Sequence, residues 1–392
     1  MANAAKHVTS LALDLQTGRR RTDELFALLR PDSLYERPLP ERHRIVFYLG
    51  HMEAFDWNLI ARRTLNIPSF HPSFDHLFAF GIDPPAGQLP SEAASEWPRV
   101  DEIERYNRRT RDALDECLED VPEEMLHAAL EHRLMHAETL TYILHQLPYE
   151  RKLAPARQDV ARPRPPAKLR EHWIEIPPGA ARLGAQPGQE FGWDNEYRPV
   201  SVNVPAFAIS QYKVTNGEYL EFVRAGGSPS FFWVERDGQW FYRGMFEETP
   251  LPQDWPVYVT KCQAEEYARW RGAALPTEAQ FHRAGEGLQC SRNSDFRYWD
   301  PIPVTADGTH ENVPAQMAGN GWEWTASVFA PFPGFEPQPY YTNYSAPFFD
   351  GAHYVLKGGS PRTAARLMRP SFRNWFRPSY PYIYATFRLV RS

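Results

Sequence analysis

A stretch from Pro155 to Lys168 carries four prolines among polar residues and divides the chain into two halves of different texture. Proline fixes φ and removes a backbone donor, so this stretch reads as a stiff linker rather than part of a core. Before it, apolar residues recur at helical spacing with few breakers. After it, glycine and proline are frequent, apolar runs are short, and most of the 12 tryptophans occur. A chain of 392 residues exceeds one ordinary core, so two domains are expected. The expected division is a helical domain over residues 1–150, a Pro/Arg-rich linker over 151–170 and a loop-rich α+β domain over 171–392.

Four helical segments fit the first part, at about 8–29, 41–65, 100–119 and 122–146. The second has an apolar stripe of Ile45, Val46, Leu49, Met52, Phe55 and Leu59. Residues 68–98 join the second and third segments through a Pro- and Gly-containing loop longer than a bundle connection needs, and such loops are often functional. Four helices with one long crossing predict a four-helix bundle. In the second part, helical signal survives mainly at 215–225 and 260–271.

The fourth segment holds His132-Arg133-Leu134-Met135-His136-Ala137-Glu138. Residues four apart on an α-helix lie about 40° apart around its axis, so His132 and His136 share one face and can close on a single metal ion. The same spacing also fits two ordinary core histidines. His145 and Glu138 are rotated away from that face and read as structural. His71, His76 and His127 remain open as outer groups.

A net charge of −6 with no basic stripe argues against nucleic acid. No run approaches the roughly 18 apolar residues of a membrane span, and residues 1–16 lack an apolar leader, so a cytoplasmic protein is expected. Cys117, Cys262 and Cys290 form no CxxC pair, in keeping with a reducing compartment. No phosphate loop or GxGxxG follows a strand, so no nucleotide site is indicated.

The second part carries Asp194-Asn195-Glu196, Val214-Thr215-Asn216, Leu275-Pro276-Thr277-Glu278-Ala279, Gly319-Asn320-Gly321-Trp322-Glu323-Trp324-Thr325 and Lys357-Gly358-Gly359-Ser360 in that order. Phe372-Arg373-Asn374-Trp375 and Phe387-Arg388 follow. Together these resemble the formylglycine-generating-enzyme (sulfatase-modifying-factor) domain, a C-type-lectin-like fold. The formylglycine generators hold copper with a cysteine pair, and neither Cys262 nor Cys290 lies in the corresponding stretch, which argues against that activity. His132 to Glu138 resembles the HxxxHxE signature of DinB-like bundles. A DinB-like bundle followed by this lectin-like domain is similar to the EgtB-like ergothioneine sulfoxide synthases. Those are non-haem Fe(II) enzymes that use O2 to join sulfur to C2 of the hercynine imidazole.

The resemblance implies a third iron ligand on the second helix, His51, beside His132 and His136. It also implies that Tyr341, in Tyr341-Thr342-Asn343-Tyr344-Ser345, is a proton donor. Tyr344, Asn374 and Trp375 would then hold hercynine, whose quaternary ammonium suits aromatic faces. The chain departs from the γ-glutamylcysteine-using enzymes at the sulfur-donor positions. Phe376 and Tyr380 stand where that family has Asp and Arg, Asn107 replaces an arginine, and Met135 replaces a glutamine. Burying a charged donor without its counter-ions is costly, whereas aromatic and amide groups suit a sugar ring. The resemblance therefore points toward the selenoneine synthase (SenA-like) branch, which joins hercynine to a 1-seleno-sugar. A thiol donor, cysteine or γ-glutamylcysteine, is the second reading, and a non-catalytic lectin-like binding module the third.

Overall fold

The computed structural model describes residues 2–79, 89–155, 172–286, 291–308 and 313–392, with side chains from residue 10 onward. The chain forms two compact units, Met1–Ala156 and Arg157–Ser392. Apart from residues 151–155, the expected linker lies outside the described residues, as does Cys290.

In the first unit, helices α1 (Ala2–Phe26), α2 (Ile45–Asp56), α4 (Val100–Asp115) and α5 (Glu123–His145) make the bundle. α1 packs on α5 and α2 on α4. α4 buries Ile103, Tyr106, Asn107, Thr110 and Leu114, the single stripe that a 3.6-residue period dictates. α5 opens behind Pro122 with Glu123 and Glu124 in its first turn, where carboxylates suit the helix dipole. α2 is buried almost all round and occupies the centre.

Three features depart from the sequence expectation. The first helix ends at Phe26, three residues early, and the second begins at Ile45 rather than 41. α2 also changes to π-helical pitch over Trp57–Thr64, a widening common at functional sites and carried by no periodicity signal. The long loop is not structureless: His71 caps a short helix α3 (Pro72–Leu77), its ring accepting from the Phe74 backbone N–H at 3.3 Å.

Among the described residues, the second unit is built from small sheets and three helices. The strands are β1 (Trp173–Ile176), β2 (Gly179–Leu183), β3 (Val200–Val204), β4 (Phe207–Ser210), β5 (Trp233–Arg236) and β6 (Gln239–Arg243). They continue with β7 (Glu248–Pro250), β8 (Trp322–Val328), β9 (Tyr354–Lys357), β10 (Asn374–Phe376), β11 (Ala385–Thr386) and β12 (Val390–Arg391). Their orders are β1-β4-β12, β10-β9-β8-β11, β2-β3 and β5-β6-β7. Helices α6 (Asn216–Arg224), α7 (Lys261–Trp270) and α8 (Glu278–Ala284) each start behind a threonine, Thr215, Thr260 and Thr277. Each threonine accepts from the backbone three residues on, where Glu218, Gln263 or Gln280 reaches back, so three Thr-x-x-Glu/Gln boxes set three helix starts.

The ordered motifs owe much of their residue choice to buried ion pairs. Arg388 is bidentate to Glu323 at 2.6 and 2.8 Å, and Arg373 to Glu278 at 3.0 and 3.2 Å. Arg369 binds Glu196, with Arg369 Nε 2.8 Å from Oε2. A planar guanidinium satisfies both carboxylate oxygens at once, which a lysine cannot. These pairs tie segments far apart in sequence, and cutting any one strands a buried charge.

Candidate metal centre and aromatic cluster

His51 enters from α2 and His132 and His136 from α5, and one ring nitrogen from each lies within 4.8 Å of the others. His51 Nε2 is 3.2 Å from His136 Nε2. Two imidazoles bound side by side to one ion at about 2.0–2.1 Å would stand roughly 3 Å apart, so the spacing fits a shared ion. His51 Nδ1 lies 2.8 Å from the Phe78 carbonyl. Only the N–H tautomer at Nδ1 can make that bond, which leaves the Nε2 lone pair facing the other rings. Phe55 stacks on His132 at 3.4 Å between ring centroids and Phe47 on His51 at 4.8 Å, fixing both ring planes.

Burial pushes the His132 and His136 imidazoles well below their ordinary value, and the neighbouring imidazoles add to this. Both are therefore neutral at pH 7, the form a metal ion requires. Among the described residues this is the group of His, Cys, Asp and Glu side chains that could hold a metal ion. Three neutral nitrogen donors and no thiolate suit a divalent ion such as iron and leave further positions open.

Two buried supports hold these histidines, and sequence reading passed over both. Arg133, between the two histidines, binds Glu53 at 2.9 Å and Asp56 at 2.6 Å and so locks α5 to α2. Burial would raise the Glu53 carboxyl, but the charges of Arg133 and Arg111 overcome it and hold it at about 2. The second support is Asp75, whose carboxylate accepts from Trp57 Nε1 (3.2 Å), Arg62 (3.1 Å), Ser69 (2.5 Å) and the Tyr106 hydroxyl (2.9 Å). It anchors α3, whose next residue presents the carbonyl to His51. The Phe78 ring lies where a Gly50 Cβ would stand, within 2.6 Å, so glycine is needed beside the ligand. Asn107 spends its amide N–H on the Leu49 carbonyl at 2.8 Å, and Met135 is half-buried beside His136.

In the second unit, Tyr341, Tyr344 and Trp375 come together. Trp193 stacks on Tyr344 at 4.2 Å and meets Tyr341 edge-on at 6.1 Å, while Tyr344 stands edge-on to Trp375 at 5.3 Å. Trp375 in turn stacks on Phe329 at 4.3 Å. Asp194 is 2% exposed, and its Oδ1 accepts from the Ser345 hydroxyl. Burial raises the Asp194 carboxyl to about 6, against the lowering effect of Ser345 and nearby backbone donors. The motifs containing Asp194 and Ser345 were visible in sequence, but their place in this cluster was not, and Trp193 lay outside every motif. Alternation along β10 sends Asn374 and Phe376 to the face opposite Trp375, so the expected pocket residues split between two faces. Phe376 stacks on Tyr380 at 5.3 Å with rings 15° apart, and Tyr382 meets Tyr380 edge-on.

Comparison with known proteins agrees with this architecture. Residues 14–147 match the DinB superfamily, and 158–313 with 303–392 match the sulfatase-modifying factor enzyme 1-like domain. Ergothioneine biosynthesis protein 1 of Schizosaccharomyces pombe is 28% identical over 93% of this chain and 54% of its own length. Hercynine oxygenase of Mycobacterium tuberculosis is 37% identical over 50% of this chain and 55% of its own length. That of Mycolicibacterium smegmatis is 31% identical over 71% of this chain and 74% of its own. The chain spans about half the length of the first of these relatives. With a DinB bundle, a sulfatase-modifying-factor-like domain and these relatives, the chain belongs to the EgtB-like family.

Proposed function

We propose that this chain is an Fe(II)- and O2-dependent enzyme that forms a carbon–selenium bond at C2 of the hercynine imidazole, with a 1-seleno-sugar as donor. The supporting observation is the convergence of three neutral imidazoles, two on α5 and one on α2, in a chain of this family. His51, His132 and His136 would hold the iron. When bound, iron would supply a site for O2 reduction. The C2–H and Se–H bonds give way to C–Se, and O2 takes up the released electrons and protons.

Tyr344 and Trp375 offer aromatic faces to the trimethylammonium group, while Asn374, on the other face of β10, stands apart from them. Tyr341 is the proton donor: its neutral phenol gives a proton and the phenolate left behind is reprotonated from water. The stacked Phe376 and Tyr380 favour a sugar over γ-glutamylcysteine, because a carboxylate placed against two rings would lose its water without gaining a cation. Asn107 and Met135 are neutral at the other donor positions.

The second reading is the same chemistry with a thiol donor, favoured by relatives named as hercynine oxygenases and ergothioneine biosynthesis proteins. The two separate in one reaction. Iron-loaded protein receives hercynine, O2 and equal amounts of a 1-seleno-sugar, cysteine and γ-glutamylcysteine, and products are read by mass spectrometry. A selenium adduct of hercynine as main product is expected; a cysteinyl or γ-glutamylcysteinyl sulfoxide would replace the donor assignment and leave the iron site standing.

A further inference from the structure

Three of the motifs that mark the second unit converge on a cavity that shares no lining residue with the aromatic cluster. Trp322 comes from the Gly-Asn-Gly-Trp-Glu-Trp-Thr run, Lys357 and Gly358 from Lys-Gly-Gly-Ser, and Phe372 from Phe-Arg-Asn-Trp. The cavity has a volume of about 350 Å3, within the usual range for small-molecule sites. Gly358 has φ +95°, and a Cβ there would stand 2.4 Å from the Met317 carbonyl oxygen, so this wall admits only glycine.

The walls are apolar: Phe281, Met317, Trp322, Leu367, Met368 and Phe372. The charged lining is almost all basic, with Arg182, Arg283, Lys357 and Arg369 against a single Glu286. Lys357 Nζ is committed to the Pro370 and Phe372 carbonyls, and Arg369 to Glu196. Arg182 is different: exposed at the cavity, it has no ion-pair partner among the described residues. Arg283 meets exposed Glu286 through Nη1 at 3.3 Å, while its Nε is buried with no hydrogen-bond partner among the described residues. The neighbouring His282 Nε2 is in the same condition.

An apolar wall, the part-exposed guanidinium of Arg283 and the uncommitted guanidinium of Arg182 together describe a complementary ligand. We infer that this cavity binds a monocarboxylate carried on an apolar body, with the carboxylate against Arg283 and Arg182 and the body against Met317, Met368 and Trp322. A single negative charge fits because Glu286, Glu196 and the carbonyls already offset the other cations. An aromatic acid and a medium-chain fatty acid share this chemistry. The inference does not depend on the hercynine reading.

The test is calorimetric titration of the full chain with 3-phenylpropionate, octanoate and the neutral 3-phenylpropionamide. We expect one saturable site for at least one acid and at least about tenfold weaker binding of the amide. A preference for phenylpropionate identifies an aromatic acid, and one for octanoate a fatty acid. Met368→Trp should fill the cavity and Ala180→Trp, on an exposed position of the lining, should block it, each abolishing binding with an unchanged circular dichroism spectrum. Arg283→Met should weaken the acid about tenfold and leave the amide unaffected. Equal affinity for acid and amide, acid binding intact in both tryptophan variants, or no saturable binding of either acid would overturn the inference. If both tryptophan variants misfold, Arg283→Met decides: unchanged acid affinity rejects it.

Discussion

The triad of the first unit and the aromatic cluster of the second are built by different means. His51, His132 and His136 stand on long helices whose own contacts are buried, with Arg133 locking one helix to the other and Asp75 holding the turn that meets His51. Trp193, Tyr341, Tyr344 and Trp375 come from a turn, a loop and a strand at the edge of its sheet. A metal ion tolerates little error in ligand position, so its site needs rigid elements. An organic cation bound by ring faces tolerates more, so loops suffice and can diverge with the substrate. The two regions should therefore fail differently when perturbed.

The largest effect is expected at the ligands themselves. His132→Ala or His136→Ala should lose stoichiometric iron, measured by metal analysis after anaerobic loading and gel filtration, while the fold persists. Retention of one iron per chain in either variant would remove that histidine from the site.

Next comes the buried lock. Arg133→Met leaves the Asp56 carboxylate without its cation and Glu53 with Arg111 alone, and denaturant unfolding should show a loss of about 3–5 kcal/mol. A loss under 1 kcal/mol would mean that the two helices are held by apolar packing alone.

Asp75→Ala should act at a distance. Without its four donors satisfied, α3 loses its anchor and the Phe78 carbonyl no longer fixes the His51 tautomer. Iron affinity, measured by competition with a chelator, should fall about 10–100-fold. Lower stability with unchanged affinity would confine Asp75 to a structural role.

The smallest effect sharpens the contrast from the other side. Asp194 has its carboxyl raised from 3.8 to about 6 by burial, so the folded state binds its proton more tightly than the unfolded one. Its contribution to stability is therefore lost as pH rises between those values. Asp194→Asn should be more stable than the parent at pH 7–8 by about 1–3 kcal/mol, and the advantage should vanish below about pH 4. Melting curves across that range give the answer, and a variant less stable at pH 8 would show that the carboxylate is needed in charged form.

The same difference decided what could be read from sequence. A helix repeats every 3.6 residues, so the pairing of His132 with His136 is written in their spacing. His51 lies 85 residues from His136, and no periodicity joins them; only the family resemblance did. Phe78 could not be singled out at all, because it serves through a carbonyl that every residue possesses. The length of the 68–98 loop was the one hint that something there was built. The lectin-like domain was recognisable from ordered motifs, yet Glu323, Glu278 and Glu196 pair with Arg388, Arg373 and Arg369 inside the core. Those motifs report the scaffold first. The alternation that parts Trp375 from Asn374 and Phe376 became evident only when the short strand β10 was seen.

The proposal that His51, His132 and His136 hold the iron used on hercynine can be checked at the metal itself. Electron paramagnetic resonance of the anaerobic Fe(II) protein treated with nitric oxide tests it directly, with and without hercynine. The account predicts one S = 3/2 iron–nitrosyl signal per chain whose line shape changes when hercynine is added, and no such signal in His51→Ala. A full signal in His51→Ala, or a wild-type signal indifferent to saturating hercynine, would contradict it.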